Sequence, residues 1–95
     1  MKKSRLPKKM RKILDLPSDS VITAKIIQEV NNLFEYEYPC ELKNSLLEIY
    51  MTYVINEHEA LPVNFSKIAW DIYFLVSFLT EAEREIKALW KDKNP

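Results

Sequence analysis

The sequence predicts an all-α fold, a compact three-helix bundle whose last helix is long. The chain has no glycine among its 95 residues, so the tight turns of a sheet protein would lack their usual residue. Apolar residues recur at three- and four-residue intervals, and 47% hydrophobic with 29% charged residues is typical of a globular chain. The predicted helices cover residues 19–35, 40–57 and 65–91.

The first predicted helix, residues 19–35, begins at a cluster of N-cap residues, Ser18, Asp19 and Ser20. The apolar positions after this cluster follow helical spacing and are Ile22, Ile26, Ile27, Val30, Leu33 and Phe34. The segment around Tyr36 and Tyr38 alternates polar and aromatic residues, and Pro39 disfavours helical geometry at the residue before it. We interpret this segment as a linker.

The second predicted helix, residues 40–57, opens at Pro39, because proline is tolerated in the first turn of a helix. Glu41 suits the positive end of the helix dipole. One apolar stripe runs along the helix and consists of Leu42, Leu46, Ile49, Tyr50, Tyr53 and Val54. The helix should end near Glu57, before Pro62.

The third predicted helix, residues 65–91, carries a heptad seam. With Asn64 as the candidate N-cap, the seam steps by four and three residues through Ile68, Ile72, Leu75, Leu79, Ala82, Ile86 and Leu89. Residues 80–83, Thr-Glu-Ala-Glu, also match a capping box, which would start a new helix. Because the seam keeps its phase, we favour one long helix, with a kink or break near Thr80 into a fourth helix as the alternative.

The long helix should outrun its neighbour. About 27 residues make a rod of roughly 40 Å, whereas the helix before it reaches roughly 28 Å. An apolar stripe left over at the distal end would favour association, and a second copy of the chain is the simplest cover. The candidate partner interface comprises Ala82, Ile86, Leu89 and Trp90, with the linker residues Tyr36 and Tyr38.

The formal net charge of zero conceals two oppositely charged parts. Residues 1–12 hold seven basic residues and no acid, and residues 13–95 hold the other seven basic residues and all 14 acids, a formal charge of −7. We therefore expect a flexible basic arm over residues 1–12 and a single helical domain over 13–95. The arm is a candidate polyanion contact through Lys2, Lys3, Arg5, Lys8, Lys9, Arg11 and Lys12.

Single reactive residues do not assemble into a predicted site. His58 lacks further ligands at helical spacing, so a surface role is expected. Cys40 and His58 would lie roughly 27 Å apart along one helix, and we interpret Cys40 as an inert residue at a helix start. Asp71 is either a buried acid of functional interest or a solvent-facing partner of Lys67, and we favour the pair.

These features predict a non-catalytic interaction or regulatory module that forms a homodimer or binds a protein partner. No glycine-rich phosphate loop or metalloprotease pattern occurs, so we expect no enzyme activity, cofactor, metal or small-molecule substrate. One cysteine, no apolar leader and no long apolar run predict a cytoplasmic protein without membrane attachment. The alternative function is a nucleic-acid-binding regulator that uses the basic arm.

Overall fold

The all-α fold class is confirmed. The computed structural model describes the backbone of residues 6–93 and the side chains of residues 6–91. Of the described residues, 76% are helical and none belongs to a strand. The helices are α1 (Lys8–Ile13), α2 (Ala24–Tyr36), α3 (Pro39–Glu57) and α4 (Phe65–Lys93). The three predicted main helices correspond to α2, α3 and α4, and α1 is an addition to them.

The chain divides into two compact units, Met1–Tyr36 and Glu37–Pro95. The first unit contains α1 and α2, and the second contains α3 and α4. The division expected from the sequence, an arm over residues 1–12 and one domain over 13–95, stays a prediction.

Helix α1 lies where the sequence predicts only a flexible arm, and it ends in a Schellman turn built without glycine. Asp15 has a φ of 55°, in the left-handed region that glycine usually occupies. Its N–H donates to the carbonyl of Lys12 at 3.1 Å, and the N–H of Leu16 donates to the carbonyl of Arg11 at 2.8 Å. These two bonds satisfy carbonyl groups that the helix end would leave unpaired.

Helix α2 begins at Ala24, five residues later than predicted. The hydroxyl of Ser20 accepts a hydrogen bond from the N–H of Ile22 at 3.1 Å, which holds this segment in a turn. The hydroxyl of Thr23 accepts from the N–H of Ile26 at 3.2 Å, so Thr23 caps the helix. The cluster at residues 18–20 therefore shapes a turn and does not cap α2.

Helices α3 and α4 form an antiparallel hairpin. Near the start of α3, the ring of Tyr38 meets that of Trp90 edge to face with centroids 5.2 Å apart. Further along α3, Tyr50 stacks on Phe65, the first residue of α4, at 6.1 Å. Pro39 occupies the first turn of α3 as predicted. Leu79 of α4 is only 7% exposed and is a main buried apolar residue of the hairpin.

Helix α4 runs without a break through Thr80, so the alternative of a fourth helix starting there is wrong. A capping box would need the Thr80 hydroxyl to accept from the following turn. Instead, this hydroxyl donates to the carbonyl of Val76 at 2.8 Å, a bond made inside a continuous helix. The carboxylate of Glu83 is engaged by Lys43 at 3.5 Å and Lys87 at 2.9 Å, not by the backbone of Thr80.

Candidate interaction surface on the helical hairpin

Three aromatic side chains of α4, the aromatic face, are the most exposed large rings of the hairpin. Trp70 is 60% exposed, Tyr73 57% and Phe74 64%. Their rings contact one another, with centroid distances of 5.6 Å for Trp70–Tyr73, 5.9 Å for Trp70–Phe74 and 5.5 Å for Tyr73–Phe74. These side chains therefore form one contiguous apolar patch and not scattered exposed residues.

The aromatic face lies on the side of α4 that points away from α3. At 100° per residue, Trp70 lies half a turn around the helix from the buried Leu79. Phe74 and Tyr73 flank Trp70 on the same side. Leu79 shares its side with Glu83, which reaches Lys43 of α3. Packing against α3 therefore leaves the aromatic face uncovered within the hairpin.

The predicted partner stripe at the distal end of α4 is only partly exposed. Ala82 and Ile86 are half-buried, whereas Leu89 and Trp90 are exposed. Ile86 and Trp90 line a small cavity of about 120 Å³ beside Tyr38 and Cys40 at the start of α3. The first turn of α3 therefore covers part of this stripe, because the antiparallel hairpin brings the two ends together.

The two tyrosines of the predicted interface lie in different units, and the linker interpretation is wrong for Tyr36. Tyr36 ends α2 in the first unit and is 82% exposed. Tyr38 precedes α3 in the second unit and packs on Trp90. The contact between Tyr38 and Trp90 brings two members of the predicted set together across the hairpin. Whether these residues bind a partner stays a prediction.

A charged cluster joins α3 to α4 beside the cavity. The Lys43 amine donates to the Thr80 hydroxyl at 3.4 Å and lies 3.5 Å from Glu83. The hydrogen bond from Lys87, together with the positive charges of Lys87 and Lys43, lowers the pKa of Glu83, and partial desolvation opposes this shift. The same hydrogen bond and the charge of Glu83 raise the pKa of Lys87. Lys87 lies one helical turn after Glu83, and its amine is 2.9 Å from the Glu83 carboxylate.

Of the three residues weighed singly from the sequence, Asp71 and His58 lie at the surface as expected, and Cys40 lies at a helix start as expected. The Asp71 carboxylate accepts from Lys67 at 2.7 Å, and both side chains are exposed. His58 is the exposed residue after α3, with its Nδ1 2.9 Å from the carbonyl of Ile55. Cys40 is half-buried in the first turn of α3. Within residues 6–91, no group of three potential metal-ligating side chains converges.

The basic residues of the N-terminal arm are only partly within the described chain. Lys2, Lys3 and Arg5 lie outside the described residues. The other four lie on α1, where Lys8, Lys9 and Lys12 are exposed. The fourth, Arg11, donates to the carbonyl of Ser18 at 3.3 Å. Helix α1 therefore presents three ammonium groups to solvent.

Comparison with known proteins identifies no relative: no protein-family model, curated protein or solved structure matches the chain. None of the described helices has the length and apolar character needed to cross a lipid bilayer.

Sequence reasoning missed the aromatic face as a surface. A helix that is apolar over most of its circumference is usually central in its fold, and this general rule would assign Trp70, Phe74 and Phe78 to a core. The spacing of Trp70 and Phe74, half a turn away from the heptad seam, is the signal that separates them from residues covered by α3. The spacing shows that α4 has a second apolar side, and it carries no information about which molecule packs against that side.

Proposed function

We propose that the protein is a non-catalytic helical interaction module that acts in the cytoplasm and self-associates through its C-terminal helix α4. The observation that carries this proposal is the aromatic face of Trp70, Tyr73 and Phe74, which packing against α3 leaves exposed. With about 200 Å² per ring, the three rings expose about 350 Å² of apolar surface. A patch of this size is comparable to the largest apolar patch on an ordinary monomer, and such patches are often functional.

Association would bury this surface without remodelling the hairpin. The three rings already contact one another, so they offer a partner one continuous surface. Aromatic side chains are the residues most enriched among those that dominate binding energy. In this proposal, the regulatory role comes from association itself, because the fraction of the protein that is bound depends on the concentration of its partner. The simplest partner is a second copy of the chain.

Size-exclusion chromatography with light scattering tests the proposal on the full chain, from low micromolar to several hundred micromolar concentration. The wild-type mass should rise towards twice the 11.3 kDa of one chain. Phe74→Ser should remain monomeric while its far-UV circular dichroism stays helical. The matched control is Ile49→Ser on α3, which alters a side chain that is 70% exposed and should dimerise like the wild type.

The distal stripe is tested in the same series with Leu89→Ser, because Leu89 is exposed and lies outside the cavity beside α3. A loss of mass with Leu89→Ser but not with Phe74→Ser assigns the contact to the distal stripe. A wild-type chain that stays at the monomer mass across the whole concentration range refutes self-association.

A second candidate function, nucleic-acid binding through the basic arm, is favoured by the exposed amines of Lys8, Lys9 and Lys12 on α1. Lysines bind phosphates with an affinity that falls as salt rises, by about 0.9 logarithmic units per contact for each tenfold increase in salt. Titration of random duplex DNA across a salt series should show this slope, and replacing the three lysines by alanine should flatten it. Absence of salt-sensitive binding by the intact chain eliminates this function.

A further inference from the structure

One row along α4 carries opposite charges at its two ends and an aromatic ring in the middle. Lys67, Phe74 and Glu81 are spaced by seven residues, so they lie on one side of the helix with a drift of about 20° per step. The row is roughly 21 Å long. Phe74 belongs to the aromatic face, and the row therefore runs through that face from a positive to a negative end.

Both end charges are available to a partner. Lys67 pairs with Asp71 at 2.7 Å, with 75% of the Lys67 side chain exposed. Glu81 pairs with Arg84 at 3.0 Å, with 60% of the Glu81 side chain exposed. Exposed pairs of this kind within one helix are worth a few tenths of a kcal/mol, so they do not prevent either group from meeting an opposite charge on another molecule.

The order of charges distinguishes the two ways in which a second α4 can lie on this face. In a parallel arrangement, Lys67 lies against Lys67 and Glu81 against Glu81, which is repulsive at both ends. In an antiparallel arrangement with a two-fold axis at Phe74, Lys67 of each copy lies against Glu81 of the other. The same symmetry sets Trp70 opposite Phe78 and makes both ends attractive.

We propose that two copies of this chain pair antiparallel through the aromatic face, with the two-fold axis at Phe74 and each Lys67 against the partner's Glu81. This inference rests on the proposed self-association and adds its surface, orientation and register. Trp70, Tyr73, Phe74 and Phe78, the last 47% exposed, present about 450 Å² per copy at about 200 Å² per ring. About 900 Å² for the pair lies below the standard size of stable interfaces, in the range of weak or transient contacts.

Charge reversal tests the register. Lys67→Glu sets two carboxylates against each other at both ends of the antiparallel pair, and Glu81→Lys does the same with two amines. Each variant alone should self-associate about tenfold or more weakly than the wild type at low ionic strength. An equimolar mixture of the two variants restores opposite charges at both ends, so it should form a heterodimer of wild-type affinity. The double variant K67E/E81K should likewise dimerise again.

Matched controls come from α2, where Lys25 and Glu29 form another exposed pair at 3.0 Å. Lys25→Glu and Glu29→Lys change the net charge by the same amounts and likewise break a pair within one helix. They should dimerise like the wild type, and mixing them should change nothing. Analytical ultracentrifugation at low salt measures all affinities, and circular dichroism verifies that every variant keeps its helix content.

The outcomes separate the register from the proposed function. Weaker self-association of each single variant, with wild-type affinity recovered in their mixture, supports the antiparallel pair. If the wild type dimerises and both single variants dimerise equally well, the register is overturned and self-association stands. If the wild type stays monomeric at every concentration, both proposals are overturned.

Discussion

Replacing Leu79 by alanine should destabilise the α3–α4 hairpin more than any comparable change at its surface. Leu79 is 7% exposed and lies one turn before Glu83, whose carboxylate meets Lys43 of α3. Its side chain therefore faces α3. Many other apolar side chains of the hairpin remain substantially exposed, so the loss of this one removes a large share of the apolar contact that holds the helices together.

The magnitude follows from burial. Removing three carbon atoms from a buried position costs about 0.8 kcal/mol for each, and a residual cavity adds to the loss when the surroundings do not collapse. Two helices joined at one end can close part of such a gap, so we expect a loss of about 2–3 kcal/mol, near the lower end of the range for buried leucines. For a domain of this size, that loss lowers the unfolding midpoint by about 10–20 °C.

Urea and thermal unfolding followed by far-UV circular dichroism measure this effect. All variants are compared at one low protein concentration, because self-association adds to apparent stability. Ile49→Ala is the control: it removes the same three carbon atoms from a side chain that is 70% exposed, and alanine is a better helix former than isoleucine. If Leu79→Ala and Ile49→Ala change the free energy of unfolding equally, burial of Leu79 does not hold the hairpin together.

Two further predictions concern a helix end and a charged cluster. Asp15→Gly should stabilise α1 by up to about 1 kcal/mol, since glycine adopts the positive φ of 55° without a steric cost. Urea unfolding measures the change in stability. A loss of stability in this variant would contradict the steric cost assigned to Asp15. The lowered pKa of Glu83 stabilises the fold above the ordinary glutamate pKa, and this contribution disappears as pH falls through the lowered value. Thermal midpoints should therefore fall on acidification less in Glu83→Gln than in the wild type, and Glu85→Gln, which changes an exposed neighbour, should follow the wild type.

Local sequence rules predicted the helices of the second unit closely, because their signals are steric and periodic. Pro39 opens α3 as its fixed φ and missing N–H require, and an uninterrupted seam predicted α4 as one rod. Thr80 also suits a helix N-cap, but its hydroxyl donates to the carbonyl of Val76 within the helix. A hydroxyl that can bond to the preceding turn does not by itself end a helix.

The first unit was less predictable, because several weak signals compete there. Ser20 and Thr23 are both acceptable caps, and only the structure shows that the first holds a turn and the second starts α2. Helix α1 escaped prediction because a run of lysine and arginine reads as a solvated tail. Its end also depends on an aspartate at a position where glycine is expected.

Periodicity reports which side chains are apolar, and it does not report which molecule covers them. Leu79 and Phe74 lie on nearly opposite sides of α4. A helix in the centre of a bundle has apolar residues on two sides, and a helix that packs in a hairpin and also dimerises has the same pattern. The length of α4 suggested that its distal end was the uncovered part. Because the hairpin is antiparallel, the start of α3 lies beside Ile86 and Trp90, and the larger uncovered surface is at Trp70 and Phe74. The charges around that face, positive at residue 67 and negative at residue 81, favour an antiparallel over a parallel arrangement of two copies in the proposed dimer.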